Sequence, residues 1–177
     1  PTEGARDNLV REGVPGERIW VTGNTAIDAL RITLERVGER AAAPEGVRQI
    51  LVTAHRRESH GEPMAEICRA LLRLCDRFPD VLVRFPVHLS PRVRATVFGM
   101  LAGHPRIRLE EPLGYLDFVI AMSQSTLVLS DSGGVQEEAP SLGKPVLVLR
   151  ETTERPEACE AGGAMLVGTS AERIFGE

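Results

Sequence analysis

Long apolar runs are missing from this sequence. No stretch approaches the roughly 20 residues that a membrane-crossing helix needs. No basic-then-apolar segment opens the chain, so the expected address is the cytoplasm and no membrane partner is expected. An excess of positive charge is missing too. Lys and Arg number 21 against 25 Asp and Glu, a net charge of −4. That balance argues against nucleic acid as the main partner and leaves room for a local basic pocket. Cysteine is scarce and unpaired: Cys68, Cys75 and Cys159 include no CxxC, so no disulfide framework is expected. Cys68 and Cys75 share a helix face with Ile67, Leu71 and Leu74 and read as small buried hydrophobes rather than metal or redox groups. There is no Walker A sequence, no G-x-G-x-x-G, no metal-spaced cluster of His, Asp and Glu, and no Ser-His-Asp order. No metal and no cofactor is expected.

What is present is the composition of a globular chain, 42% hydrophobic and 26% charged, long enough at 177 residues for one domain, or one and a fragment. Short β-branched apolar runs alternate with segments of helical period. The strand candidates are 18–23, 49–54, 81–87, 106–111, 125–130 and 145–149. They are apolar without alternation, as strands covered on both faces are. The pattern predicts an α/β fold, a doubly wound parallel sheet with helices on both faces. The Ala-, Pro- and Gly-rich stretch 38–46 reads as a linker. Residues 1–45 then form the tail of a preceding domain plus that linker, and 46–177 a Rossmann-like domain. The opening Pro1 and the ending within "SAERIFGE" suggest a piece of a longer chain, truncated at its C-terminus.

In open α/β sheets ligands bind beyond the carboxyl ends of the strands. The strongest signal lies there, in "STLVLSDSGGVQEEAPSLGKP" at 125–145. A buried strand runs into Ser132, Gly133 and Gly134 and then a helix, where glycines admit a ligand to backbone N–H groups at the positive helix end. That is an anion site, and diphosphate fits it. Glu138 leans back toward the same helix start and can accept hydrogen bonds from a ribose diol. The competing reading is an ordinary N-cap by Asp131 or Ser132 with a tight Gly-Gly turn. "TAHRRESHG" at 53–61 places His55, Arg56 and Arg57 after another strand, either as an anion-binding cluster or as surface partners of Glu58 and Glu62. His88, in "FPVHLSPRVR", matches His55 in location; it is a ligand contact or a structural histidine. Arg155, in "RETTERPE", points to a phosphate or belongs to a solvated charge run. Phe118 floors a base ring or packs in the core. His60 and His104 read as solvent-facing.

"TAHRRES", "PVHLSP", "SDSGGVQEEAPSLGKPVLVLR" and "TTERPEA", with "VTGNTAIDAL" ahead of them, closely resemble the non-hydrolysing bacterial UDP-N-acetylglucosamine 2-epimerases over nearly the whole chain. The resemblance implies the second, nucleotide-holding half of a two-domain enzyme of the GT-B type. It implies interconversion of UDP-N-acetylglucosamine and UDP-N-acetylmannosamine for surface polysaccharide synthesis, by elimination of UDP to a 2-acetamidoglucal and its re-addition. Carried over by motif, Ser132, Gly133 and Gly134 bind the diphosphate and Glu138 the ribose. Phe118 and the segment before it flank the uracil, Arg155 lies near the phosphates, and His55 sits by the reacting sugar as the catalytic candidate. Arg56 and His88 match positions that in some members hold a second UDP-N-acetylglucosamine as an activator. The family's acidic acid/base residues belong to the other half, so this chain alone is expected to be inactive and to bind UDP weakly at most. The full-length enzyme is expected to be a homodimer. Three other functions remain open: a GT-B glycosyltransferase, the hydrolysing epimerase, and a non-catalytic nucleotide-sugar-binding module.

Overall fold

The computed structural model describes residues 1–41 and 45–177, so the middle of the expected linker, 42–44, lies outside the described residues. Two helices come first, α1 (Glu3–Arg11) and α2 (Thr25–Val37), capped by Thr2 and Asn24, whose side chains accept from the N–H groups of Ala5 and Ala26. Strands and helices then alternate: β1 (Arg48–Thr53), α3 (Glu62–Arg77), β2 (Val81–Pro86), α4 (Pro91–Leu101), β3 (Ile107–Glu110), α5 (Tyr115–Gln124), β4 (Leu127–Ser130), α6 (Gly133–Ser141), β5 (Val146–Val148), α7 (Pro156–Glu160), β6 (Ala164–Leu166) and α8 (Ala171–Gly176).

The strands form one parallel sheet in the order β3-β2-β1-β4-β5-β6. The chain winds outward from β1 to one edge, then returns to β4 and winds to the other, which is the doubly wound arrangement. Its switch point is the β1–β4 pair. Thr53 lies opposite Ser130 in that register, so the loops after these two strands start side by side.

Both faces of the sheet are buried. Ile50, Val52, Val83 and Phe85 pack on α3, α4 and α8 through Ile67, Leu71, Val93, Val97 and Ile174. Leu51, Val128, Val146 and Val148 pack on the other face against Leu30 of α2, Val119 and Met122 of α5, and Val135 and Ala139 of α6. Cys68 and Cys75 are buried in the first of these cores, and burial pushes the Cys68 thiol up to about 12. Among the described residues no helix is long and apolar enough to cross a membrane.

Two expectations are corrected. Residues 18–23 form no strand: the segment continues a short helical turn at Gly16–Arg18 as extended chain outside the sheet, with Trp20 77% exposed. An apolar run becomes a strand only when a sheet edge pairs with it, and the sheet offers 18–23 none. Conversely, β6 was not expected. It has three residues between Gly163 and Gly168, too short to show a pattern. It reaches the sheet because Gly163 lacks a side chain: a Cβ there would come within 2.7 Å of Pro140 Cβ.

The helix α2 is no loose tail. Leu30 is fully buried against α5 and α6, and Asn24 Nδ2 donates to Glu137 Oε2 of α6 at 2.9 Å. Leu30→Ala is therefore expected to cost about 3 kcal/mol in urea unfolding. A loss near zero would mean that α2 does not share the domain's core.

Candidate functional site

The polar loops gather at the carboxyl end of the sheet, and at their centre is one carboxylate. Asp131 follows β4 directly and is fully buried. Its Oδ2 accepts from the backbone N–H groups of His55 and Arg56, each at 2.8 Å, and from the Ser59 hydroxyl at 3.2 Å. The His55 ring places Nδ1 3.0 Å from Oδ1. Asp131 N in turn donates to Thr53 O at 3.2 Å. The loop after β1 is thereby tied to the end of β4 across the switch point.

These contacts set the charges. The Asp131 carboxylate against its ring raises the His55 pKa above the ordinary 6.5, outweighing partial burial and the nearby Arg56. Burial works to raise the Asp131 carboxyl, but the His55 ring and the two backbone N–H groups outweigh it and hold the pKa below the ordinary 3.8. The pair is imidazolium and carboxylate over a wider range than either group alone.

Beside Asp131, α6 begins at Gly133 with Ser132 as N-cap. Ser132 makes no side-chain capping bond, which leaves its hydroxyl available. Neither Gly133 nor Gly134 has a positive φ. The turn does not require glycine at either position, and only at Gly133 does the space around it. A Cβ on Gly133 would come within 2.8 Å of Glu154 Oε1, and one on Gly134 within 3.7 Å of Glu138 Oε1. Glu138 does lean back over the helix start. Its carboxyl is pushed up by burial and by the charge of Glu137. At the helix start the N–H groups have no partner within the helix, so they can bind a phosphate, while Glu138 can accept from a diol.

The loop after β5 closes the other side. The Thr153 hydroxyl donates to Oε1 of the fully buried Gln136, and Arg155 N donates to Thr153 Oγ1 at 2.9 Å. Arg155 turns its guanidinium to Glu137, at 3.5 Å. Arg56 faces Glu154, while Glu58 pairs with Arg150 and Glu62 with Arg69, so the alternative reading of Arg56 and Arg57 as partners of Glu58 and Glu62 is not what these carboxylates show. Below the crevice, His55, His88, Pro112, Leu113 and Phe118 line a cavity of about 210 Å3. The His55 and His88 rings stack with centroids 5.6 Å apart, and Phe118 also packs on the α5 and α6 core. Of the site residues read from the sequence, His55, His88 and Phe118 line one pocket, Arg56 reaches Glu154 beside the start of α6, and Arg155 turns to Glu137 of α6. His60 and His104 are partly buried rather than solvent-facing.

Asp131, Ser59 and Gln136 were missed as organisers. Asp131 stood between two serines as a possible cap, and only the β1–β4 pairing shows what it holds. Among the described residues, no three His, Cys, Asp or Glu side chains gather as a metal would need.

The UDP-N-acetylglucosamine 2-epimerase family model matches residues 1–177. This chain belongs to that family. It is 51% identical to a probable UDP-N-acetylglucosamine 2-epimerase of Ralstonia nicotianae, over 98% of this chain and 49% of the relative. It is 48% identical to the UDP-N-acetylglucosamine 2-epimerase of Escherichia coli, over 100% and 50%. The Neisseria meningitidis epimerase, solved with UDP-GlcNAc bound, superposes with a TM-score of 0.94 at 46% identity, covering 99% of this chain and 50% of that one. The chain spans about half the length of the relatives it matches. The Escherichia coli heptosyltransferase WaaC, at 14% identity and a TM-score of 0.52, shares the fold alone.

The signs of the two shifts fix a pH dependence. The raised His55 pKa stabilises the fold fully below pH 6.5, and that contribution is lost as pH rises through the folded value. The lowered Asp131 pKa stabilises above pH 3.8 and is lost as pH falls through its folded value. Asp131→Asn is expected to bring the His55 pKa, read by NMR titration, back to 6.5 or lower and to cost about 2 kcal/mol in urea unfolding. An unchanged His55 titration would break the link between the two.

Proposed function

We propose that this chain is the nucleotide-binding half of a UDP-N-acetylglucosamine 2-epimerase, with residues 1–45 leading in from the other half and 46–177 holding UDP. In this reading the whole enzyme works in the cytoplasm as a homodimer on surface-polysaccharide precursors. The observation that carries it is the start of α6, where Gly133 and Gly134 leave backbone N–H groups open and Glu138 lies beside them. Support comes from the Staphylococcus aureus MnaA structure, solved with UDP, which superposes over 99% of this chain with a TM-score of 0.92 at 43% identity.

In this reading the roles are those that the family resemblance implies. Ser132, Gly133 and Gly134 take the diphosphate and Glu138 the ribose hydroxyls. Phe118, Leu113 and Pro112 wall the base in the cavity under His55. Arg155 joins the phosphates by leaving Glu137. His55, whose pKa Asp131 raises, faces the sugar, and Arg56 and His88 form part of a second nucleotide-sugar site.

UDP is a leaving group as well as a handle in this chemistry. The C2 proton of the sugar is not next to a carbonyl and is not acidic. Breaking the anomeric C–O bond with loss of the C2 proton to a base of the other half eliminates UDP and gives a 2-acetamidoglucal. Protonation of C2 on the opposite face with re-addition of UDP at C1 completes the epimerisation. Helix N–H groups and cationic side chains at the departing phosphate stabilise its developing charge, and losing one such donor costs about 3 kcal/mol of barrier. The chain without its other half is expected to bind UDP and not to turn over.

Calorimetric titration with UDP tests the assignment. Binding in the micromolar to millimolar range is expected, with Ser132→Ala and Glu138→Gln each weakening it roughly tenfold. Because Glu138 is strained upward in pKa by burial, Glu138→Gln should leave the melting temperature unchanged or raised. Binding that neither substitution weakens would remove α6 from the site.

A further inference from the structure

One carboxylate lies beside the start of α6. Glu154 Oε1 lies 2.8 Å from the point that a Cβ on Gly133 would fill. Arg56 Nη2 approaches Oε1 at 3.3 Å, and Arg150 Nη1 approaches Oε2 at 2.5 Å. A helix start and two guanidinium groups are the partners that a bound phosphate uses. Glu154 is delivered there by a fixed loop, since Thr153 is bonded to Gln136 on one side and to Arg155 N on the other. The carboxyl is held ionised by its own backbone N–H first, then by Arg150 and Arg56. Its side chain is also 46% exposed, so it can swing into solvent without leaving a buried charge behind.

We propose that Glu154 is a built-in anion that lies across the phosphate site, pairs with Arg56 and shares Arg150 with Glu58, and must be displaced by the diphosphate of an incoming nucleotide. It thereby sets how tightly the site holds any phosphate-bearing ligand and eases release of UDP. This rests on the reading of α6 as the UDP site. The residue contributes no atom to the chemistry. It competes with the ligand for the same partners, and its removal strengthens binding rather than weakening it, the opposite of what loss of a contact residue does.

The test is calorimetric titration of the chain and of Glu154→Gln with three probes, UDP, pyrophosphate and uridine. Glutamine keeps the shape and removes the charge, and an unchanged melting temperature establishes that the variant is folded. Two partly exposed ion pairs and a charge placed beside a helix start are each modest, and together they set the expected gain at roughly tenfold tighter UDP and pyrophosphate. Uridine, which carries no phosphate, should respond alike to both proteins. Equal or weaker UDP and pyrophosphate binding by Glu154→Gln overturns the proposal while leaving the UDP site standing. A gain for uridine equal to that for UDP also overturns it. A gain for pyrophosphate with no preference for UDP over pyrophosphate upholds the competing carboxylate and overturns the nucleotide assignment. Absence of binding by either protein to UDP and pyrophosphate overturns both.

Discussion

The crevice depends on the Asp131 carboxylate. A charge buried this completely is costly unless it is satisfied by donors and a counter-charge, and Asp131 meets that requirement with two backbone N–H groups, a hydroxyl and the His55 ring. The donors come from the loop after β1 and the acceptor from the end of β4. The pairing of Thr53 with Ser130 brings the two within reach. Satisfying the carboxylate therefore fixes the path of residues 54–59, and with it where His55 and Arg56 point. It also fixes the entry to α6, because Ser132 follows at once and its N–H is held by Ser130 Oγ at 3.0 Å. A single buried group thus positions both walls of the switch-point crevice before any ligand arrives.

Around this fixed centre the remaining charges are less settled. Glu138 is pushed up in pKa by burial, and Glu154 lies across the helix start against Arg56 and Arg150. Each arrangement is mildly unfavourable or easily exchanged, which on the proposed reading leaves a ligand room to supply a partner. Arg155 shows the same provisional pairing with Glu137 at 3.5 Å, and Glu137 also accepts from Asn24 of α2. That shared carboxylate links α2 to the loop after β5.

Most of the fold was legible because burial on both faces leaves a plain trace: Ile50, Leu51 and Val52 are apolar in succession and divide between the two cores. The failures have one physical origin. Residues 18–23 carry a strand pattern and lack an edge to pair with, while Ala164–Leu166 carry almost no pattern and have an edge in β5. Pairing partners are long-range facts that local composition does not contain. The site divides the same way. Gly133, Gly134, Glu138 and His55 announced themselves by residue type next to a strand end. Asp131 and Gln136 act through partners 76 and 17 residues away, and nothing in their own neighbourhoods distinguishes them from a helix cap and a solvent-facing glutamine.

The most direct measurement is amide hydrogen exchange at His55 and Arg56 in the chain without nucleotide. Both amides sit in a loop, one of them on a residue whose side chain is 38% exposed, and loop amides without partners exchange freely. If Asp131 holds the crevice preformed, both exchange slowly, at rates close to those of the β1 and β4 amides. Fast exchange at both would mean that the loop is not fixed by the carboxylate and that the crevice takes shape only when a ligand binds.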